Sequence, residues 1–138
     1  MKIDLRPVHW VGSSRDDLRE LPEDVKDVVG KALLQVQFGG KPHNASVLHG
    51  FGGANVLEIK DDYDGDTYRC VYTVRFAEAV YVLHTFQKKS RSGIKTSQQD
   101  IDAIKLRLDA AMKHYKAHYG NKEQKEEENG NRDSRGKR

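Results

Sequence analysis

From Ala54 to Lys89 the chain reads ANVLEIKDDYDGDTYRCVYTVRFAEAVYVLHTFQKK, three runs of β-branched, aromatic and aliphatic residues with only short polar gaps between them. Parallel strands need a crossover of a dozen residues or more, so gaps this short force the three runs to pair antiparallel. Asp64-Gly65, between the first two runs, has the chemistry of a tight hairpin turn. This meander has little freedom, and the rest of the chain must pack against it.

Upstream, LRPVHWVG is a short apolar run with Pro7 near its start, expected as a strand that joins the sheet at an edge, with Trp10 in the core. Ser13 or Ser14 suits the cap of a short helix, and Pro22 suits the first turn of another. Val25, Val28, Val29, Ala32, Leu33 and Val36 then recur at helical spacing until Gly39-Gly40 stops them. Residues 41–53, which include HGFGG, are expected as a loop; they lack the Lys-Ser/Thr ending of a phosphate cradle. Thr96 with Gln99, or Ser97 with Asp100, can cap a final helix whose apolar face is Ile101, Ile104, Leu108, Ala111, Met112 and Tyr115, ending at Gly120. The expected fold class is α+β, an antiparallel sheet of three to four strands with amino-terminal helices packed on one face and a carboxy-terminal helix. Residues 121–138, NKEQKEEENGNRDSRGKR, hold no apolar side chain and have no burial to offset ordering. The expected division is therefore a domain over 1–120 and a disordered charged tail over 121–138.

Net charge is +3, and the tail carries six Lys/Arg against five Asp/Glu, so the total does not point to a polyanion. The clustering does. Lys88, Lys89, Arg91 and Lys95 follow one another with no acid among them, where the third strand ends and before the last helix begins. Alternation along TYRCVYTVR puts Arg69, Val71, Thr73 and Arg75 on one face and Tyr68, Cys70, Tyr72 and Val74 on the other, the better core face. In LEIK, Glu58 and Lys60 lie opposite Leu57 and Ile59. Glu58, Lys60 and Arg69 are thus expected on a water-facing sheet surface, beside the cations of 88–95. Such a surface attracts phosphates, and Tyr63 or Phe86 could stack on bases. The plainer reading is a set of solvated charges protecting strand edges, with Arg69 paired to Glu58.

Cys70 is the single cysteine, which rules out an internal disulfide and suits a buried inert thiol. No window is apolar enough for a membrane span, so a cytoplasmic protein is expected. His114 and His118 have the i, i+4 spacing of a metal pair but no third ligand near them in sequence, and neither a metal nor a cofactor is expected. His84, inside an apolar strand, reads as a structural histidine before an acid or base.

Taken in order, VLEIK, YRCVY, VLHTFQKKS and a helix bearing AIKLRL resemble the RelE/ParE superfamily of bacterial toxins, and within it the HigB-type, phage-related branch of toxin–antitoxin modules. The resemblance spans roughly residues 8–116. Glu58 and Lys60 fall on an acid and a base of its first motif, Tyr68 and Arg69 on its second, His84, Phe86, Lys88 and Lys89 on its third, and Ala103 and Arg107 on its helix. The helix start departs from the family's Thr-Pro, being Thr96-Ser97, and Asp100 stands where a Glu is usual.

The resemblance implies a RelE-like fold and a ribosome-dependent mRNA endoribonuclease, an mRNA interferase that inhibits translation. It implies metal-independent attack of a 2′-hydroxyl on the adjacent phosphate. Arg69 would neutralise the phosphate, Lys88 or Lys89 would share that task or protonate the leaving group, and Glu58, or a lysine of lowered pKa in its place, would act as general base. Lys60, Arg91 and Lys95 would hold RNA. Reversal of Arg69 to Glu is expected to abolish cleavage with little loss of fold. The implied partners are a helix-turn-helix antitoxin and mRNA on the ribosome, with operator DNA reached only through the antitoxin complex and no membrane. Two other readings stay open on the same scaffold: a gyrase-poisoning ParE-like toxin, and a non-catalytic RNA- or protein-binding module.

Overall fold

The computed structural model describes residues 5–53, 55–88 and 96–135, with side chains as far as Gly120. The elements in chain order are β1 (Val8–Trp10), α1 (Ser14–Arg19), α2 (Glu23–Gln37), β2 (Ala45–Val47), β3 (Val56–Tyr63), β4 (Asp66–Thr73), β5 (Val80–Lys88) and α3 (Gln98–Arg135). They build one five-stranded sheet in the order β1-β5-β4-β3-β2.

The β3-β4-β5 meander is antiparallel throughout. Asp64 (φ 53°) and Gly65 (φ 84°) both take left-handed backbone at its first turn, which matches the strand twist. Two strands extend the sheet beyond the meander. β1 lies parallel to β5, with Val8 opposite Val80 and Trp10 opposite Val82. Ala45–Val47, inside the expected loop, pairs antiparallel with Leu57–Ile59. Five strands thus replace the expected three to four, because a three-residue edge strand needs a partner and not a pattern of its own.

Each face of the sheet carries a core. On one, Val25, Val29, Leu33 and Val36 of α2 pack on Leu57, Ile59, Cys70, Tyr72, Val80 and Val82. On the other, Ile104, Ala111 and Tyr115 of α3 pack on Val56, Val71, Phe76, Tyr81 and Leu83. A bulge between Val71 and Tyr72 lets two successive β5 residues, Leu83 and His84, serve this second face. α3 continues past Gly120, the boundary expected from composition, to Arg135. Glu- and Lys-rich sequence has high helix propensity and i, i+4 charge pairs.

Cys70 is fully buried under α2, and burial pushes its thiol up to about 12. The native protein is expected to leave a thiol reagent unreacted at pH 8 and to react fully once denatured, as absorbance of the released chromophore would report.

Candidate functional site

The registers bring the motif residues together. Lys60 is opposite Arg69 and Glu58 opposite Val71 on β3 and β4. Across β4 and β5, Arg69 is opposite Phe86, Val71 opposite His84 and Thr67 opposite Lys88. Glu58, Lys60, Arg69, His84, Phe86 and Lys88 therefore share the sheet face on which α3 begins, the face opposite α2.

That face is not the open surface the alternation suggests. Glu58 is 4% exposed, and Arg69 and Lys88 are each 7% exposed; only Lys60 among these charges is half in water. α3 meets this face at His84 and Leu83, through Asp100 and Arg107. Arg69 Nη1 donates to both Glu58 oxygens, at 2.9 and 3.1 Å, and Lys60 Nζ lies 3.7 Å from Oε1. The ion pair weighed as Arg69's structural alternative is thus formed, and in a buried setting. Arg69 Nε and Lys88 Nζ are buried without a hydrogen-bond partner among the described residues. Burial, then the Arg69 charge, pushes the Lys88 ammonium below the usual lysine range; Glu58 opposes that, Lys60 adds to it and Asp100 opposes it. A cluster of this kind, with cations outnumbering carboxylates and two nitrogens without an acceptor among the described residues, is suited to an anion.

Asp100 and Arg107 frame the cluster. His84 Nε2 lies 2.7 Å from Asp100 Oδ1, and Arg107 Nη1 lies 2.9 Å from His84 Nδ1. A guanidinium only donates, so Nδ1 must accept and the ring proton sits on Nε2, facing Asp100. The ring stacks on Phe86 with centroids 4.7 Å apart. His84 is thus satisfied at both nitrogens, as the structural reading expected. The sequence marked Asp100 only as a cap and Arg107 only as a motif match; nothing local links either of them to His84. Arg107 also donates to the Leu83 carbonyl (3.0 Å) and the Ser13 hydroxyl (3.1 Å), and it passes over Gly12. Gly12 has φ +58°, and a Cβ there would come within 2.7 Å of Arg107 Nε. Gly12→Ala is expected to lower stability by about 1–3 kcal/mol, read by denaturant unfolding.

Lys89, Arg91 and Lys95 lie outside the described residues. Tyr63 does not join the site: it packs with the α2-side core, because it shares strand parity with Leu57 and Ile59. His114 and His118 stack at 3.9 Å near the packed part of α3, with His114 against His9 and Tyr81. Among the described residues no group of three or more His, Cys, Asp or Glu side chains is placed to hold a metal ion. Burial first, then the His118 charge, lowers both His9 and His114 from their ordinary value of 6.5. Because the unfolded chain binds these protons more readily, their contribution to stability is complete above pH 6.5 and declines as pH falls below it. The thermal midpoint is expected to drop between pH 7 and pH 5, and to drop less in a His9→Gln/His114→Gln variant.

No described helix is long and apolar enough to cross a membrane. A comparison with curated proteins found no match. Among solved structures, the free state of an E. coli toxin RelE mutant matches with a TM-score of 0.55 and 18% identity, over 75% of this chain and 98% of that one. At that identity the likeness speaks to fold: the chain has the RelE fold. The family model described as "Phage derived protein Gp49-like" matches residues 16–109, which include Glu58, Arg69, His84, Lys88 and Arg107. With that fold in place, the family match decides the identity: the chain belongs to the Gp49-like family of phage-derived proteins.

Proposed function

We propose that this protein is the toxin of a toxin–antitoxin module and acts as a metal-independent, ribosome-dependent mRNA endoribonuclease. The observation that carries the reading is the pairing of Arg69 and Lys60 with the carboxylate of Glu58, with Lys88 buried on the same sheet face. Cleavage of RNA by its own 2′-hydroxyl needs a base, an acid and cations for the phosphorane charge. Glu58 takes the 2′ proton as the 2′ oxygen bonds to phosphorus. Arg69 and Lys60 balance the added negative charge. Lys88 gives its proton to the departing 5′ oxygen as that P–O bond breaks, leaving a 2′,3′-cyclic phosphate and a 5′-hydroxyl. An ammonium whose pKa is lowered is the better acid for this step. The incoming phosphate competes with Glu58 for the Arg69 guanidinium, which frees the carboxylate to act as base. Lys89, Arg91 and Lys95 complete the proposal as further cations toward the RNA.

In this reading the chain works in the cytoplasm, and its partner is a helix-turn-helix antitoxin that covers the cation face or the α1–α2 side and carries the complex to operator DNA. The test is to induce the protein in cells and map new RNA 5′ ends. Cuts phased with codons support the proposal. DNA damage without cuts would instead identify a gyrase poison, and neither outcome would leave a binding module.

A further inference from the structure

The α2 side of the sheet has an opening of its own. Where α2 ends, a cavity of about 400 Å³ is lined by Val47, Leu57, Tyr72 and Val74 of the sheet side and by Arg6 and Lys41. Leu57 and Tyr72 belong to the α2-side core, so the cavity lies on the sheet face opposite the Glu58–Arg69 cluster. The surface leading to it is apolar: Leu5, Leu34 and Phe38 are each half-exposed. Leu34 and Phe38, four residues apart, share the side of α2 turned away from its buried residues Val25, Val29, Leu33 and Val36. Leu5 and Phe38 directly precede Arg6 and Gly39, which both line the cavity. Three hydrogen bonds fix this rim. The Arg6 amide donates to the Gln37 carbonyl (3.1 Å), Arg6 Nη2 to the Val36 carbonyl (2.8 Å), and Gln37 Nε2 to the Arg6 carbonyl (2.7 Å). The charge nearby has one sign. No Asp or Glu occurs from Val28 to Leu57, whereas Lys31 and Lys41 do. The last acid on α2 is Asp27, two turns ahead of Leu34. Arg6, Lys31 and Lys41 form no ion pair among the described residues.

We propose that this cavity, with the Leu34–Phe38 stripe leading to it, is a docking surface for an acidic segment of a partner protein that seats a large apolar side chain among Val47, Leu57 and Val74. Apolar side chains left half in water around an opening mark a surface that another molecule covers. A cavity of this size has room for one large apolar anchor, the usual centre of a protein interface. The unpaired cations decide the sign of the partner, because carboxylates at the rim would meet Arg6, Lys31 and Lys41. Arg6 also covers the partial negative charge at the carboxy end of α2, which would otherwise repel them. A second copy of this chain fits less well, since a two-fold pairing would set one cationic rim against another. RNA fits less well too, because a phosphate backbone gains nothing from the aliphatic lining. The Arg6–Gln37 bonds hold the rim in place before binding, which lowers the ordering cost of docking.

The experiment is a selection of random peptides displayed on phage against the immobilised full-length protein. Counter-selection on a Phe38→Ser/Lys41→Glu protein removes peptides held elsewhere, the Glu58–Arg69 face included. The surviving peptides are expected to combine Asp or Glu with Leu, Phe or Trp. Their Kd, read by fluorescence polarisation, should rise about tenfold in Leu34→Ser. Lys31→Glu should weaken binding at low salt and have a smaller effect as salt is added. Leu106→Ser, which changes an exposed leucine on α3, should leave the Kd in place. All of these positions are exposed, and the amide spectrum checks that each variant keeps the parent fold; where Leu34→Ser does not, Lys31→Glu decides. The proposal is overturned if no peptide survives, if the survivors carry no acid, or if they bind Leu34→Ser and Lys31→Glu as tightly as the parent protein. Homopolymeric RNA that loses binding in Lys31→Glu/Lys41→Glu, or a dimer in sedimentation that Phe38→Ser dissociates, overturns it in favour of RNA or a second copy. The readout needs no cleavage, so it stands or falls apart from the nuclease reading.

Discussion

Arg69→Ala is expected to cut RNA about 10²- to 10³-fold more slowly and to lose about 3–5 kcal/mol of stability at the same time. The first loss follows from removing the cation that meets the phosphate. The second follows from leaving Glu58, only 4% exposed, with no closer cation than Lys60 at 3.7 Å among the described residues. The burial of the pair also revises the expectation for Arg69→Glu. That reversal would set two carboxylates side by side in a buried site, so loss of activity would be inseparable from loss of fold. The informative variant is the double change Glu58→Met/Arg69→Met. Replacing a buried ion pair by apolar side chains of similar volume is often neutral or better, so the double variant should regain most of the stability lost by the single one while remaining inactive. Denaturant unfolding and single-turnover cleavage of ribosome-bound mRNA would measure the two effects separately. Recovery of cleavage along with stability would show that Arg69 holds the fold and has no part in the chemistry.

Lys88→Met should move activity and stability in opposite directions. Removing the acid costs about 10²- to 10⁴-fold in rate. Removing a buried ammonium that has no acceptor among the described residues should raise stability by about 1–3 kcal/mol, since that desolvation is then no longer incurred. The pH dependence gives a second signature. Lys88 titrates below its ordinary 10.5 when folded, so between the folded value and 10.5 the unfolded chain binds more protons. The parent protein should therefore gain stability as pH rises through that window, and Lys88→Met should lack the gain. In cleavage, the protonated acid disappears as pH rises, so the alkaline limb should lie below 10.5 and vanish in Lys88→Arg, whose guanidinium keeps its proton. A Lys88→Met protein that is less stable and fully active would assign the ammonium to packing alone.

What the sequence determined on its own is what local rules govern. The period of two in β3 and β4, the Asp64-Gly65 turn and the helical stripe of α2 involve neighbours in the chain, and the structure keeps all of them. Strand parity alone put Glu58, Lys60 and Arg69 on one face. The same parity already sets Tyr63 with Leu57 and Ile59, so its exclusion from the site was legible and the suggestion of base stacking ran against it. Tertiary structure decided the rest. β2 and the parallel pairing of β1 with β5 depend on strands finding edges far away in the chain. Arg69 and Lys88 are buried on a face that alternation marks as polar. The Arg107–His84 contact joins residues 23 apart only because a bulge turns His84 to the side of α3. A charge pattern specifies which side chains share a surface; whether that surface meets water or a helix depends on what packs over it, and no local periodicity carries that information.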